Sequence, residues 1–401
     1  MPEHSASVSQ PEETDPASET HRDITDPQIS RLTEAEAEVI TEVGRLSLQQ
    51  LVWRRFLRNR LAIVGSVLLI LLYLAIIFAE FLTPYEYLKI NEDSVRRAPQ
   101  WPRFIDQEGK FHVRPFVCGT ETVLDTENLA WIHTTDCTQT YPIKLFVHGF
   151  EYKLLGLISS DIHLFGVEQP GTFFLLGTDG LGRDLLSRII QGGRVSLTVG
   201  LVGVALTIFF GATLGTASGY FGGMTDNIMQ RIIELLMSFP TIPLWAAFAA
   251  ALPPDWSSLK RFFAISVILS LVGWTGLARQ VRAKVLSYRE MDYTMAAKAA
   301  GGSEWRIILV HMLPNAASHI IVVATLAVPG MILAETALSF LGLGIQPPMV
   351  SWGTLLQDAQ QVNVILQYPW LMIPGLFVIV AVLAFNFVGD GLRDAVDPYA
   401  V

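Results

Sequence analysis

The stretch LAIVGSVLLILLYLAIIFAEFL, residues 61–82, decides the fold class of this 401-residue chain. It contains a single charged residue, Glu80, in a run as long as the roughly 20 apolar residues that a helix needs to cross a bilayer. The run starts too late and continues for too long to be the apolar part of a cleaved signal peptide. We therefore expect a first transmembrane helix over 61–82 that also acts as a signal anchor.

The rest of the chain also has the composition of a membrane protein. Apolar residues make up 51% and charged residues 16%, whereas soluble domains contain about 25% charged residues. The expected fold class is an all-α membrane protein with six transmembrane helices, the other five lying at about 195–217, 232–252, 262–277, 316–341 and 370–387. Pro240 and Pro243 interrupt the third predicted helix, where we expect a kink.

Basic residues beside the predicted spans indicate the orientation of the chain. They precede the first span and stand again between the fourth and the fifth: Arg54, Arg55, Arg58 and Arg60, then Arg279, Arg282, Lys284, Arg289, Lys298 and Arg306. Because short loops rich in Lys and Arg stay in the cytoplasm, we expect both termini there. Residues 83–194 then form a large extracytoplasmic insertion with a surface helix, and 195–401 form a core of five spans with a cytoplasmic loop over 279–315.

The N-terminal tail is residues 1–60, and its first 44 residues account for the net charge of −9. Residues 1–44 contain eleven acidic residues and two arginines, so their balance is 2 − 11 = −9. They are also rich in Ser, Thr and Pro, which predicts a largely disordered tail to about residue 44. A short amphipathic helix is expected around 29–43.

Two cysteines, Cys118 and Cys137, lie in the predicted insertion. Their spacing fits no common zinc site, so we expect no metal there. In an oxidising compartment they can form a disulfide, and the alternative is a pair of free thiols in a small apolar core.

The polar stretch YTMAAKAAGGSEWRIILVHMLP, residues 293–314, interrupts the apolar pattern between spans four and five. Gly301 and Gly302 break a helical segment, and Ser303 can cap a second one. Small side chains on both sides of the turn allow another protein surface to approach the backbone closely. The alternative is an ordinary polar loop.

This stretch resembles the EAA loop of ABC-transporter permease subunits, in which Glu-Ala-Ala, a glycine and Ile-x-Leu-Pro recur at fixed spacing. Ala296-Ala297, Gly301 and Leu313-Pro314 match, whereas Met295 stands at the Glu position and His311 at the Ile position. Residues 58–398 are similar to the C-type permease of dipeptide and oligopeptide importers, a binding-protein-dependent inner-membrane component. Further matching stretches are GTDGLGRDLLSRIIQGGRVSL (177–197), GYFGG (219–223), ETALSFLGLGIQPPMVSWG (335–353) and AFNFVGDGLRDAVDP (384–398).

The resemblance implies a type I importer permease in the bacterial inner membrane, which forms half of a path for di- or oligopeptides. The implied partners are a second homologous permease, two ATPase subunits that use ATP and Mg, a substrate-binding protein and the lipid bilayer, but no nucleic acid. The residues implied to couple to the ATPase are Ala296, Ala297, Lys298, Ala300, Gly301, Gly302, Leu313 and Pro314. The same role for another cargo, such as an oligosaccharide or nickel, is the alternative.

Other classes of function are less well supported by the residues. The chain lacks the Gly-x-x-x-x-Gly-Lys-Ser/Thr motif that wraps nucleotide phosphates, so we expect no cofactor and no ATPase activity of its own. An ion-coupled secondary transporter needs several buried charges, and Glu335 is the main candidate, as a translocation-path residue or a hydrogen-bonded bundle residue. A membrane enzyme or sensor needs a convergent catalytic cluster, which the scattered histidines of the insertion do not suggest.

Overall fold

Five helices of this computed structural model are long and apolar enough to cross a membrane, among the residues that the structure describes: 47–125, 130–154 and 156–396. A bent pair of shorter helices, Gly223–Met237 and Thr241–Ala250, passes the same test when its halves are combined. The number of candidate spans is therefore five, or six if the bent pair counts as one span.

The elements are numbered in chain order. The helices are α1 (Leu48–Arg58), α2 (Arg60–Ile77), α3 (Ala79–Leu82), α4 (Leu185–Phe221), α5 (Gly223–Met237), α6 (Thr241–Ala250), α7 (Ser258–Arg289), α8 (Asp292–Ala299), α9 (Glu304–Arg306), α10 (Leu313–Phe340), α11 (Trp352–Gln357), α12 (Val362–Gln367) and α13 (Ile373–Val396). A π-helical turn, Ile307–Met312, joins α9 to α10, and Pro369–Met372 forms a 3₁₀ turn before α13. The strands are β1 (Arg103–Ile105), β2 (Phe111–Asp125), β3 (Ala130–Pro142), β4 (Lys144–Leu154) and β5 (Ile158–Gly166).

The chain divides into two units, residues 1–54 and 55–401. In the first unit the described residues are 47–54, and the predictions for the acidic tail concern residues outside that range. In the second unit α4 packs against α7 and α10, and α2 packs against α13. Apolar side chains such as Leu197, Leu269 and Ile332 are fully buried where these helices meet. This bundle is the core that holds the polar sites described below.

The bend in the third predicted span follows from its prolines. α5 and α6 meet at 85° across a break of a few residues, and Pro240 is the residue that precedes the first turn of α6. A proline disfavours helical backbone in the residue before it and has no N–H to donate, so the helix ends there and restarts in a new direction.

The all-α prediction is wrong for the segment between α3 and α4. β1, β2 and β3 form an antiparallel sheet in that order, and β4 pairs with β5 in a separate antiparallel hairpin. Residues 111–166 are rich in Thr, Val, Ile and aromatic residues with polar residues interleaved, a composition typical of half-exposed strands. The chain as a whole is still mostly helical.

Three predicted boundaries also change. The first helix ends at Ile77 and restarts as α3, instead of continuing to residue 82. The predicted surface helix before residue 195 is the first part of α4, which begins at Leu185 and is continuous with the second span. The predicted loop 279–315 is shorter, because residues 279–289 belong to α7 and the helix that contains α10 begins at Glu304. In the last two cases good helix formers extend a helix beyond its apolar residues.

Candidate functional site

The polar connection between α7 and α10 is a short helix, a glycine turn and a second helix. α8 ends where Gly302 N donates a hydrogen bond of 3.0 Å to Ala297 O. Gly301, at the turn, has φ +75° and open space around it, a conformation that glycine adopts without steric cost. Ser303 then caps the second helix, since its side chain accepts a hydrogen bond from Arg306 N. The glycine turn is therefore fixed by hydrogen bonds on both sides.

The structure brings six of the eight predicted coupling residues together at this turn. Ala296, Lys298, Ala300 and Gly301 are exposed, while Ala297 and Gly302 are half-buried. Leu313 and Pro314 lie apart from them at the start of α10, where Leu313 is half-buried and Pro314 is exposed. Ala297 and Leu313 pack against the same apolar cluster, which includes Val281, Val285, Ile307 and Met312. The turn is thus connected to the second helix through packed side chains.

Pro314 does not start the helix that follows the turn. Helical structure runs from Glu304 to Phe340, and the π turn over Ile307–Met312 immediately precedes the proline. Because proline lacks an N–H and crowds the preceding helical turn, a locally wider helix is a suitable place for it. The proline therefore lies inside a continuous helix.

One contact joins the turn to α4, and a second joins the neighbouring helices to each other. Lys298 Nζ lies 5.3 Å from the centre of the Tyr220 ring at the end of α4. Nearby on α5, Asp226 accepts two hydrogen bonds from the Arg282 guanidinium of α7, each 2.5 Å long. Such bidentate pairs combine strength with defined geometry. Asp226, which the sequence interpretation missed, joins the three helices that support the turn, because Ser218 Oγ of α4 also donates to it over 2.5 Å.

The surface around the turn is apolar as well as small. Three large apolar side chains there are solvent-exposed: Met291 by 41%, Met295 by 55% and Trp305 by 68%. Exposed tryptophan and methionine are typical of protein–protein interfaces. The resemblance to the EAA loop concerns the alanines and glycines and does not include Trp305. Its place two residues after the predicted cap Ser303 is the signal that could have identified it as a contact residue.

Glu335 lies within the bundle and is fully buried. Its carboxylate accepts hydrogen bonds from Ser196 Oγ of α4 over 2.9 Å and from Ser339 Oγ over 2.7 Å. Ser196 Oγ in turn accepts from Trp352 N of α11, and Ser339 Oγ accepts from Ile345 N. The side chain therefore fastens α4 and α10 to the segment between α10 and α11. A role in the translocation path stays a prediction.

Cys118 and Cys137 are joined as a disulfide between β2 and β3, with their Cα atoms 4.5 Å apart. They lie where the register of the two strands shifts, next to Gly119. Among the described residues no group of three or more His, Cys, Asp and Glu side chains is arranged to hold a metal ion.

Two family models match the chain. Residues 180–400, which include α4–α13 of the bundle and the glycine turn, match the binding-protein-dependent transport system inner membrane component. Residues 47–99 match the N-terminal TM domain of oligopeptide transport permease C. The chain belongs to this family of inner-membrane transport permeases.

Relatives of the permease support this assignment. It is 44% identical over 228 residues to the oligopeptide transport system permease protein OppC of Haemophilus influenzae, an alignment that covers 56% of this chain and 70% of the relative. It is 43% identical over 233 residues to the dipeptide transport system permease protein DppC of Alkalihalophilus pseudofirmus, covering 58% and 74%. The OppC protein of Bacillus subtilis is 36% identical over 250 residues, covering 62% and 77%.

Membership of the family indicates the class of subunit and the kinds of partner protein. It is a non-catalytic membrane subunit, and the family implies ATPase and substrate-binding proteins as partners. Residues 100–179, which contain all five strands, lie between the two matched ranges. Neither family model therefore covers the strands.

Residues 100–179, the strand segment, are attached to the permease bundle by buried polar contacts. Arg97 donates hydrogen bonds to Thr172 Oγ1 over 2.7 Å and to Thr120 Oγ1. Its guanidinium also lies 5.5 Å from the centre of the Phe174 ring. On the side of the bundle, Asp179 pairs with Arg183 over 2.8 Å and with Arg188 of α4. Residues 94–97 form hydrogen bonds with Thr178 and Asp179. These bonds hold the sheet close to the N-terminal end of α4.

His133 of β3 is part of the same attachment. One ring nitrogen lies 2.8 Å from Val95 O and the other 3.0 Å from Thr122 Oγ1. Burial lowers the pKa of the imidazole below its usual value, the bond to the Val95 carbonyl opposes this, and the nearby Arg97 charge lowers the pKa further. The structure therefore favours a neutral His133.

Proposed function

We propose that the permease is a subunit of an ATP-driven, binding-protein-dependent importer of di- or oligopeptides. It forms half of the translocation path with a second homologous permease. Two ATPase subunits, which use ATP and Mg, bind at the turn over 296–302, and this chain binds no cofactor itself. The cargo is inferred from the relatives, whose names are those of oligopeptide and dipeptide permeases.

The proposed orientation places both termini and the glycine turn in the cytoplasm and the strand segment outside. Basic residues around α1 and the glycine turn support it, since such residues accumulate on the cytoplasmic side. A disulfide between Cys118 and Cys137 suits the oxidising outer side.

The geometry of the glycine turn is the observation that carries the coupling role. Its small, exposed residues border an exposed Trp305, and Ala297 packs on the apolar cluster that continues into α10. A movement of the turn can therefore be passed to a membrane helix through side chains in contact, without a flexible linker.

The test is uptake by the complex reconstituted in liposomes with its partner ATPases and binding protein. We expect Gly301→Asp to abolish uptake of labelled peptides and the stimulation of ATP hydrolysis by the binding protein, with normal membrane insertion. Gly109→Asp is the matched control, because Gly109 has φ +82° and equally open surroundings, but lies in the strand segment. Normal uptake by Gly301→Asp would refute the coupling role. Uptake of an oligosaccharide or nickel in place of peptides would refute the proposed cargo alone.

A further inference from the structure

The hairpin of β4 and β5 is held beside the end of the first membrane span. His163 of β5 is buried, and its two ring nitrogens lie 2.7 Å from Glu80 O of α3 and 3.1 Å from Phe150 O of β4. The Phe146 ring of β4 packs against Phe81, with ring centres 6.3 Å apart. The base of the hairpin is therefore fixed to α3 and has a defined position relative to the span.

From this base the hairpin points toward the membrane. Lys153 and Gly156, near its turn, line an open cleft of about 400 Å³ together with Ile76 and Ile77 of α2. His163 lies level with Glu80, so the tip is one helical turn closer to the centre of the membrane than the base is.

The depth of Ile76 and Ile77 follows from the length of the span. α2 contains 18 residues, which makes it about 27 Å long at 1.5 Å per residue, while the hydrocarbon core of a bilayer is about 30 Å thick. A helix this short reaches the edge of the hydrocarbon only with its last turn. The tip of the hairpin, opposite that turn, is consequently at the boundary between hydrocarbon and lipid headgroups.

The side chains of the tip suit this depth. Leu157 is 85% exposed and Ile158 is 63% exposed, next to the exposed Lys153. Such a group of aliphatic residues beside a lysine is typical of segments that insert at the interface, where the amine reaches lipid phosphates. The other cation of the cleft, Arg194, is already paired with Glu80 and with Ile76 O.

We propose that the tip of the β4–β5 hairpin inserts into the headgroup layer of the bilayer beside α2, with Leu157 and Ile158 in the outer part of the hydrocarbon and Lys153 on lipid phosphates. The tip and the end of the span line the same open cleft, so one lipid layer can cover both. The hairpin is a second membrane anchor, which fixes the strand segment relative to the bilayer. This inference does not depend on which cargo is transported.

The test measures the depth of the tip in the assembled complex in lipid nanodiscs. Leu157→Cys and Val113→Cys are labelled with a nitroxide under non-reducing conditions, and the unchanged protein serves as the labelling background. Val113 is the matched control because it is also 85% exposed, but on β2 of the other sheet. We expect the label at 157 to meet a water-soluble nickel chelate about tenfold less often than the label at 113, and oxygen more often, because lipid excludes the chelate.

Two results would overturn the proposal. Equal access of the chelate to both labels would place the tip in water. Shielding of the label at 157 from both chelate and oxygen would show that a protein subunit covers it. A charge reversal gives a second measurement: Lys153→Glu should at least double the chelate contact at 157, whereas Lys110→Glu, at an exposed lysine between β1 and β2, should leave it unchanged. An unchanged value in Lys153→Glu would refute the contact with lipid phosphates.

Discussion

Glu335 Oε2 accepts a hydrogen bond of 2.9 Å from Ser196 Oγ, which joins α10 to α4 inside the membrane bundle. Ser339 Oγ satisfies the other carboxylate oxygen over 2.7 Å. Both hydroxyls also accept from backbone N–H groups, so their own protons are directed at the carboxylate. A buried acidic residue in a membrane protein is often taken as a sign of ion coupling, and the hydrogen bonds of Glu335 also connect three segments of the bundle.

Replacing Glu335 by leucine should destabilise the permease by about 1–3 kcal/mol, because two buried hydroxyls lose their acceptor. Replacing it by glutamine should cost less, since the amide oxygen still accepts one of the two bonds. Thermal unfolding of the purified chain in detergent compares the two variants. Equal melting temperatures for Glu335→Leu and the unchanged protein would contradict the proposed role of the hydrogen bonds.

The bidentate pair of Asp226 and Arg282 leads to a second prediction. Each single charge reversal, Asp226→Arg or Arg282→Asp, should lower thermal stability, and the double reversal should recover part of the loss. The expected coupling energy is about 0.5–3 kcal/mol, as for other residues in direct contact. Arg231 and Glu234 on α5 provide the matched cycle, since their 2.7 Å pair is exposed and should contribute less than about 1 kcal/mol. If the coupling energy of Asp226 and Arg282 equals that of Arg231 and Glu234, the partly buried pair stabilises the fold no more than an exposed pair does.

The sequence predicted these features to different degrees. Long apolar runs such as 61–82 are sufficient to recognise spans, because the bilayer requires a minimum length of apolar helix. Asp226 carried no such signal, since its significance comes from Arg282, which is distant in sequence and is brought close by the packing of α5 on α7. Helix ends were misplaced for a related reason. The long α7 continues to Arg289 because its last turns pack against neighbouring helices after the apolar residues have ended.

The strand segment shows another limit of the sequence. The strand segment lies outside both ranges matched by the family models, so only local sequence patterns were available. These patterns predicted an insertion but did not predict its fold. Cys118 and Cys137 were recognisable as a candidate pair, yet their approach depends on the register of the hairpin between 116–125 and 130–142, which shifts next to Cys118. Register depends on turn geometry and on which face of a strand is buried.

Acidification should weaken the attachment of the strand segment through His133. Because the pKa of the folded imidazole is lowered, the unfolded state binds a proton first as the pH falls below the ordinary histidine value of about 6.5. The contribution of the neutral His133 to the stability of the folded state is complete above that pH. It is lost as the pH falls toward the lowered pKa. We expect the loss of melting temperature between pH 7.5 and 5.5, values chosen to bracket about 6.5, to be smaller in His133→Gln. A loss as large in the variant as in the unchanged protein would assign the pH dependence to other groups.

Trp305 should be a major contact for the ATPase subunit. Its ring is 68% exposed beside the glycine turn, and tryptophans at the centre of interfaces commonly contribute at least about 2 kcal/mol. Trp305→Ala should therefore weaken the affinity of the detergent-solubilised permease for the ATPase by about 30-fold, with the melting temperature of the isolated chain unchanged. Trp101→Ala is the matched control, because Trp101 is 72% exposed in the strand segment and should leave the affinity unaltered. If both variants bind the ATPase as tightly as the unchanged permease, the apolar surface around the turn is not part of the contact, and the small residues 296–301 alone would have to provide it.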